Sequence, residues 1–344
     1  MSDRAGQVSR RAREIHEGAV LIDGHNDHFM LKFSRGRPFD FMRPARRYHS
    51  DGRRLLAGGM TASLFMVGGY ELGPSLALVE RARREIERHP DALLLVTRAA
   101  DIAEAKRTGR LGVMLSWESG QALEGRLEVL GAAHRLGLRA STLTHGEGGG
   151  RFALQGTRSA FRHCTARERA ALRRRSRGLT AFGRGALREM QRLGILVDLA
   201  HANDATVEDA LELAAKPVVS THGGVFACCR HYRCSTDEQI RGIAATGGLV
   251  SVAFYDQFIA EPPAKATVDG IVDQIAHVAG LVGIEHVGIG SDFDGLADGV
   301  WPVIRTAERL PELTEALVRR GFSAAEIRKV WGGNYLRVLR AAVG

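Results

Sequence analysis

The stretch GLTAFGRGALREMQRLGILVDLAH, residues 178–201, contains a helical pattern followed directly by a buried-strand pattern. Apolar residues recur at helical spacing over Leu179–Leu193, and the run Ile195–His201 is almost continuously apolar before it ends in histidine. Continuous apolar runs of this length are typical of strands that are buried on both faces of a parallel sheet. The stretch therefore predicts a helix and a strand in succession, with a polar side chain at the end of the strand.

Seven further apolar runs repeat this pattern, and helix-like segments such as Leu76–Arg88, Gly125–Leu136 and Val268–Val282 lie between them. Strands that alternate with helices predict a parallel sheet, and eight of them predict a closed (β/α)₈ TIM-type barrel of the α/β class. Residues 1–344 are thus predicted to form a single barrel domain. The eight predicted strands are Ala19–His25, Thr61–Gly68, Leu111–Glu118, Leu138–His145, Ile195–His201, Pro217–His222, Leu249–Tyr255 and His286–Asp292. The remaining predicted helices are Leu179–Leu193, Thr206–Ala215 with a start signal at Asp204 or Thr206, and Thr236–Ala245 with one at Ser235 or Thr236.

The composition excludes several classes of protein. A hydrophobic content of 44% with 25% charged residues is not that of a disordered chain. The formal charge of +9 comes from 43 Arg and five Lys spread over the whole chain. The densest run, Arg167–Arg177, has no aromatic residues interleaved for base stacking, so it predicts a solvated helix face or loop. No nucleic-acid partner is expected.

Neither a membrane segment nor a disulfide framework is predicted. The polar start MSDRAGQVSR has no apolar core of a signal peptide, no apolar run reaches about 18 residues, and there is no hydrophobic anchor tail. We therefore expect a cytoplasmic protein without a membrane partner. The four cysteines form no CxxC pair and are predicted to be reduced thiols.

Most of the predicted strands end in a side chain that can titrate or bind a metal. In a barrel of this type all strand C-termini meet at one rim, where the active sites of such enzymes lie. Residues that are far apart in the chain are thus expected to converge there. These strand-end residues are His25 with Asp27, Glu118, His145, His201, His222 and Asp292.

This set of residue types suits a two-metal hydrolytic site. His25 and Asp27 alternate along an extended segment and so lie on the same side of it. The two oxygens of Glu118 can bridge two metals, and His201 and His222 can each offer one nitrogen to the second metal. Two metals about 3.5–4 Å apart would share a bridging hydroxide. The sequence therefore predicts two half-sites that share Glu118.

Three further residues complete the predicted site. His145 can hydrogen-bond a carbonyl oxygen as it becomes an oxyanion. Asp292 can take a proton from the bridging water and give it to the leaving amine. The planar guanidinium of Arg233, in the loop after the sixth strand, suits a substrate carboxylate.

At these residues the sequence resembles the renal (membrane) dipeptidase family of zinc peptidases, in a bacterial-type form. The similarity extends over nearly the whole chain from about residue 10. The stretch 178–201 and the segment GSDFDG are its specific parts. The matching segments are LIDGHND (21–27), SWES (116–119), STLTH (141–145), residues 178–201, VVSTH (218–222), RCSTDEQI (233–240), HVGIGSDFDG (286–295) and GGNYLRVLRA (332–341).

The resemblance implies a barrel with a binuclear zinc site. It implies that His25 and Asp27 bind one zinc, that Glu118 bridges, and that His201 and His222 bind the other. It also implies that His145 contacts the scissile carbonyl oxygen, that Arg233 holds the substrate carboxylate, and that Asp292 shuttles the proton near the substrate amine. The chain departs from the family pattern in residues 146–177, an atypical rim-loop insertion, and at Tyr232 and Cys234. Such loops set substrate preference rather than chemistry.

The leading functional hypothesis is a zinc-dependent hydrolase that cleaves the amide bond of a dipeptide or an N-acyl amino acid. The alternative keeps the metal site but acts on an ester, lactone or phosphoester. A non-catalytic metal- or nucleic-acid-binding protein is disfavoured because the whole ligand set is present together with Asp292. The expected cofactors are two Zn²⁺, with other divalent ions left open. The expected partner is a small-molecule substrate, and the sequence leaves a homodimer open.

Overall fold

The computed structural model describes residues 8–33, 40–44, 47–145, 154–155, 160–297 and 300–344. Within them, strands and helices alternate along most of the chain. The strands are β1 Ile22–Asn26, β2 Ala62–Met66, β3 Leu93–Leu95, β4 Leu111–Trp117, β5 Leu138–Thr142, β6 Leu196–Asp198, β7 Val219–Ser220, β8 Leu249–Val252 and β9 Val287–Ile289. The helices are α1 Arg10–Gly18, α2 His28–Phe33, α3 Gly52–Ala57, α4 Leu72–Arg88, α5 Ala99–Thr108, α6 Glu128–Arg135, α7 Ala166–Arg175, α8 Ala181–Leu193, α9 Asp204–Leu213, α10 Asp237–Ala245, α11 Asp256–Ile259, α12 Val268–Val282, α13 Pro311–Arg320, α14 Ala324–Arg328 and α15 Asn334–Ala342. A π-helical turn, Lys329–Gly333, joins α14 to α15.

Eight parallel strands form a nearly closed barrel in the order β1-β2-β4-β5-β6-β7-β8-β9. The segment after β9 returns to β1, where the Asp292 N–H donates to the His25 carbonyl over 3.2 Å and the Asp27 N–H donates to the Phe293 carbonyl over 2.9 Å. These bonds lie at the C-terminal ends of the two strands. The predicted (β/α)₈ architecture is confirmed: seven of its eight strands fall within a predicted run, and β1 extends one residue beyond its run, to Asn26.

One strand was not predicted. Leu93–Leu95 pairs with Leu111–Val113 of β4, while β5 pairs with the later part of the same strand, Leu115–Trp117. Because β2 pairs with β4 along Gly112–Ser116, β3 and β5 share its other edge, one behind the other. β3 therefore adds to the sheet without adding a ninth strand to the barrel. Three apolar residues in a row are too short a pattern to tell a strand from a loop.

All the barrel strands except β1 end earlier than predicted, so most of the polar residues lie just beyond them. β5 ends three residues before His145, and β6 ends three residues before His201. The backbone of His201 (φ 66°) and Asp292 (φ 60°) is left-handed, which turns the chain out of the sheet. Backbone groups at these ends bind side chains instead of a neighbouring strand, as the Ala200 N–H does with Asp198 over 2.9 Å.

The helix starts agree with the sequence in one case and correct it in the other. Thr236 caps α10 and forms a capping box with Gln239, as predicted. The cap of α9 is Asn203, whose side chain accepts from the Thr206 N–H over 2.8 Å, rather than Asp204 or Thr206. Three good capping residues lie within four positions there, and tertiary packing selects among them.

The arginine-rich run also needs correction. Residues 166–175 form α7, which begins with a capping box between Thr165 and Glu168. Arg173 is partly exposed and pairs with Glu208, as a solvated face requires. Arg169 on the same helix is only 5% exposed, so the run is not a uniformly solvated face.

The end of the barrel opposite the site is filled by α15. Tyr335, Val338 and Leu339 of this helix pack in one apolar cluster with the first residues of several strands, including Ile22 and Leu249. The Tyr335 hydroxyl lies 2.6 Å from Ser251 Oγ. The C-terminal ends of the strands are left to build the site. Among the described residues, no helix combines the length and apolar character needed to cross a membrane.

Candidate active site

A cavity of about 700 Å³ opens at the C-terminal rim of the barrel. Seven of the eight site residues predicted from the sequence line it, and His25 lies fully buried behind Asp27 and Glu118. Carboxylates and imidazoles thus share a cavity with one guanidinium. The seven lining residues are Asp27, Glu118, His145, His201, His222, Arg233 and Asp292.

His25 and Asp27 lie together on the cavity floor. His25 Nε2 is 3.1 Å from Asp27 Oδ2, so the two side chains share one side of the chain as the alternation predicts. The same nitrogen is 3.3 Å from Glu118 Oε1 and 4.0 Å from Asp292 Oδ1. Three carboxylates therefore surround one buried imidazole nitrogen. Burial alone would lower the pKa of His25, but Asp27 and Glu118 outweigh it and raise the pKa well above its usual value.

Glu118 occupies the centre of the cluster, directly after β4. Its Oε1 lies 3.3 Å from His201 Nε2, 3.7 Å from His145 Nε2 and 3.9 Å from His222 Nε2, in addition to the His25 contact. Its other oxygen, Oε2, accepts from the Tyr70 hydroxyl over 3.4 Å. Burial would raise the pKa of Glu118, but His25 and His145 hold it well below its usual value. One carboxylate oxygen is thus shared by four imidazoles.

His201 and His222 face each other, with their Nε2 atoms 2.7 Å apart. Burial and the charge of Arg233 lower the pKa of His201 well below its usual value, and burial and His25 do the same for His222. The lowered pKa values favour the neutral form of both rings, which is the form that binds metals. Within this cavity, the donor groups that converge closely enough to hold a cation are Glu118 with His25 and His222, Glu118 with His145 and His201, and His25 with Asp27 and Asp292.

The cluster fits a pair of divalent cations. Asp27 Oδ1 and His25 Nδ1 are buried without a hydrogen-bond partner among the described residues. Three buried carboxylates at 3.1–4.0 Å from one ring nitrogen require compensating positive charge. Imidazole nitrogens together with carboxylate oxygens are the ligand set that zinc accepts. The observed groups differ from the two predicted half-sites, because His222 groups with His25 and Glu118, His145 joins Glu118 and His201, and Asp292 joins His25 and Asp27.

A buried relay orients His222 from behind. Asp198, at the end of β6, accepts the Thr221 N–H over 2.9 Å and also the Thr221 hydroxyl. Thr221 Oγ1 lies 3.1 Å from His222 Nδ1. Because the hydroxyl has a single hydrogen and donates it to the carboxylate, the ring Nδ1–H must donate to the hydroxyl oxygen. The lone pair of Nε2 is thereby directed into the cluster.

Asp292 lies close to His25 and Asp27, three residues after β9. Its left-handed backbone aims the carboxylate at His25 rather than along the sheet. Gly295 packs beside it, where a Cβ atom would come within 2.5 Å of Asp292 Oδ1 and 2.3 Å of Asp27 Oδ2. Burial raises the pKa of Asp292 above its usual value. A raised pKa makes this carboxyl a better proton acceptor.

Arg233 provides the positively charged side chain of the cavity. Its Cζ lies 5.6 Å from the centre of the Phe258 ring, and its Nη2 is buried with no hydrogen-bond partner among the described residues. Burial lowers the pKa of this guanidinium. Arginine nevertheless stays charged. A buried cation that has an unused hydrogen-bond donor lacks part of the compensation that a buried charge requires.

The chain matches the sequence profile of the membrane dipeptidase family, peptidase family M19, over residues 9–343. The chain belongs to this family. Its membership confirms the resemblance and the predicted class of enzyme, a metal-dependent dipeptidase.

Relatives of the family agree with the chain over most of its length. The dipeptidase tcpJ of Claviceps purpurea is 27% identical over 337 residues, which cover 92% of this chain and 76% of the relative. An amidohydrolase from Pseudomonas aeruginosa has 26% identity and a TM-score of 0.79, covering 97% of this chain and 99% of its own. A metallopeptidase from Rhodobacter sphaeroides shares the fold, with 23% identity and a TM-score of 0.80. The match covers 94% of this chain and 99% of the metallopeptidase.

Several residues of this dipeptidase cavity were missed by the sequence reasoning. Tyr70 follows β2 at the same rim and contacts Glu118, but it lies four residues beyond the strand end. Phe161, Tyr255 and Phe258 form an aromatic wall beside Arg233, and Phe161 is 54% exposed at the mouth. Widening the search from strand ends to the residues that follow them would have found Tyr70. Residues 146–153 and 156–159 of the predicted insertion lie outside the described residues.

Asp294 was also missed, although it lies in the GSDFDG segment. Its carboxylate accepts His28 Nδ1–H over 2.7 Å, the His49 N–H over 2.7 Å and the Ser50 hydroxyl over 2.7 Å. These bonds join the segment after β9 to the segment after β1. Asp294 therefore supports the rim on which Asp27 and Asp292 lie.

Proposed function

We propose that this chain hydrolyses the amide bond of dipeptides, or of closely related N-acyl amino acids, at a site for two zinc ions. The observation that carries the proposal is Arg233, a buried guanidinium with an unused donor in the cavity that also holds the carboxylate–imidazole cluster. A substrate with a free carboxylate would complete that pair. Dipeptides and N-acyl amino acids both have one.

His25 and Asp27 would hold one ion, His201 and His222 the other, and Glu118 would bridge them. When bound, the two ions would polarise the scissile carbonyl and lower the pKa of the attacking water. The position of Glu118 Oε1, within 3.9 Å of four imidazole nitrogens, supports its role as the bridge. Protein side chains leave positions open for water and substrate in such a site.

The remaining residues orient the substrate and move protons. His145 is 37% exposed in its side chain and reaches the cavity from its open side. Burial lowers its pKa, so the neutral ring would donate Nε2–H to the carbonyl oxygen as negative charge develops there. Asp292 would accept the proton of the attacking water and deliver it to the leaving amine. Arg233 would fix the carboxylate end of the substrate, and with it the distance to the scissile bond.

The relatives support a dipeptide as the substrate. The family is one of dipeptidases, and the Claviceps purpurea relative is itself named a dipeptidase. The Rhodobacter sphaeroides metallopeptidase holds a phosphinate mimic of the dipeptide L-Ala-D-Ala. A cavity of about 700 Å³ has room for a ligand of that size.

The test compares a dipeptide with its C-terminal amide on the zinc-loaded enzyme. A charge-assisted hydrogen bond is worth roughly 1.5–3 kcal/mol, so the wild type should lose about 10- to 150-fold in kcat/KM on the amide. Arg233→Met should be poor on the free acid and should discriminate little between acid and amide. Arg230→Met is the matched control, because Arg230 is exposed and three residues away in the same loop. Equal rates of the wild type on acid and amide would refute the carboxylate clamp and favour an ester or lactone substrate.

A further inference from the structure

Arg169 of α7 lies buried behind the active-site rim, where each of its guanidinium nitrogens has a partner. Nε donates to Asp204 Oδ2 over 3.1 Å, and Nη2 donates to Asp204 Oδ1 over 2.6 Å. Nη2 also donates to Gln239 Oε1 over 3.1 Å, and Nη1 donates to the Cys234 carbonyl over 2.6 Å. Gln239 in turn donates to Asp204 Oδ1 over 2.9 Å. The charge is thus neutralised and held in a single orientation.

Aromatic rings hold the same guanidinium in place. Its Cζ lies 4.7 Å from the centre of the Phe226 ring and 5.0 Å from that of Tyr232. The hydroxyl of Tyr232 accepts the Asp204 N–H over 3.4 Å. Bidentate, stacked packing of this kind is available to arginine and not to lysine.

The partners of Arg169 belong to the two rim segments that matter for the proposed reaction. Asp204 begins α9, three residues after His201. Cys234 directly follows Arg233, so its carbonyl lies one peptide beyond the residue that forms the substrate clamp. Arg169 therefore ties the segment that carries His201 to the segment that carries Arg233.

The clamp depends on this backbone support. Arg233 Nη2 has no hydrogen-bond partner among the described residues, and the guanidinium contacts the Phe258 ring. Because no hydrogen bond on Nη2 holds the guanidinium, its position depends on the position of the Arg233 backbone. The backbone bond on the other side of the residue is the Arg233 N–H to His231 Nδ1, over 3.2 Å. A shift of about 1 Å in a group that orients a substrate can reduce the rate by about 100-fold.

We propose that Arg169 is a positioning residue for substrate-carboxylate recognition, which it supports by fixing the backbone that carries Arg233. The inference rests on the proposed function of Arg233. It assigns the arginine-rich helix a part in the reaction, although that helix lies outside the cavity. Loss of the Cys234 and Asp204 contacts should move the clamp while leaving the cluster around Glu118 in place.

The experiment measures kcat and KM on a dipeptide and on its C-terminal amide for the zinc-loaded wild type, Arg169→Met, Arg169→Lys and Arg173→Met. Arg173 is the matched control, because it lies one turn further along α7 and pairs with Glu208 at the surface. Arg169→Met should raise KM for the free acid about tenfold or more, the low end of the loss expected for one charge-assisted bond. Its kcat and its activity on the amide should stay within about threefold of wild type, since the amide makes little use of the clamp. Arg173→Met should match the wild type on both substrates.

A double variant separates positioning from general damage. Arg169→Met/Arg233→Met should be no worse on the free acid than Arg233→Met, because the clamp is already absent. An additive loss, or an equal loss of Arg169→Met on acid and amide, would show a merely structural role and overturn the inference. Unchanged acid-to-amide discrimination in Arg169→Met would overturn it as well.

The wild type and the variants test different claims. Failure of the proposed function shows in the wild type alone, as equal rates on acid and amide, whereas failure of the positioning role shows only in the variants. If Arg169→Met does not fold, Arg169→Lys carries the test, because it keeps the charge and loses the bidentate geometry. Its discrimination should fall between those of wild type and Arg233→Met, and wild-type discrimination in a folded Arg169→Lys would refute the role.

Discussion

Thr221→Val should lower both the free energy of unfolding of the metal-free protein and the affinity of the site for metal. Valine keeps the shape of threonine and removes the hydroxyl that joins Asp198 to His222 Nδ1. Asp198 would keep two donors, the N–H groups of Ala200 and Thr221, each at 2.9 Å. The ring Nδ1–H of His222 would lose its acceptor in a buried site. The substitution therefore acts on ring orientation without creating a cavity.

The magnitude follows from the partners that are lost. A hydrogen bond to a charged group contributes roughly 1.5–3 kcal/mol, so the free energy of unfolding of the metal-free protein should fall by about that amount. Removing the group that orients a metal-binding imidazole typically weakens metal affinity by about 10- to 100-fold. Urea unfolding of the metal-free protein measures the first quantity. Zinc titration against a competing chelator measures the second.

Thr142→Val is the matched control, since Thr142 is also a fully buried threonine at a strand end. Its hydroxyl has no hydrogen-bond partner among the described residues. Replacing an unsatisfied hydroxyl by a methyl group should leave the stability unchanged or raise it. If Thr142→Val lost as much stability and zinc affinity as Thr221→Val, or if Thr221→Val stayed within about threefold of wild type in zinc affinity, the relay would be refuted.

Two further predictions concern the cluster itself. Wild type should bind about two divalent ions per chain. Glu118→Ala should lose both or nearly both, because one oxygen serves four imidazoles, and elemental analysis that finds full occupancy would remove Glu118 from the bridge. Asp292→Asn should lower kcat on a dipeptide by a factor on the order of 100 or more, because it removes the proton acceptor and keeps the shape. Its metal content should be unchanged, and near-wild-type turnover would exclude Asp292 as the proton shuttle.

The barrel was predictable because its signal is local and repeated. Each central strand is buried on both faces and therefore reads as a continuous apolar run, as in Leu111–Trp117. Every residue of β2, Ala62–Met66, is likewise buried, and Ser63 is the one polar residue in it. β3 was not predicted, because its three apolar residues, which pair with the edge of β4, are too short a run to indicate a strand. The cap of α9 escaped because neighbouring residues compete for that role with similar energies.

The candidate site was predictable only in part. A polar residue after an apolar run can be read from the chain, and barrel geometry then brings such residues to one rim, as with His201 and Asp292. The aromatic wall could not be found in this way. Phe161 lies in an arginine-rich region and contacts the ring of Tyr255, almost one hundred residues further along the chain. Such contacts have no local pattern.

The sequence by itself determined the parallel barrel and the chemical types of the groups at its rim. Both follow from hydrophobic periodicity and from the identity of residues such as Glu118 and His222, which no packing can change. The tertiary structure alone decided which groups meet and which are buried. It grouped His145 with Glu118 and His201, and it placed Arg169 in a buried network with Asp204. Burial and distance depend on residues that are remote in the chain. The sequence therefore predicts a solvated Arg169, whereas the tertiary structure buries it.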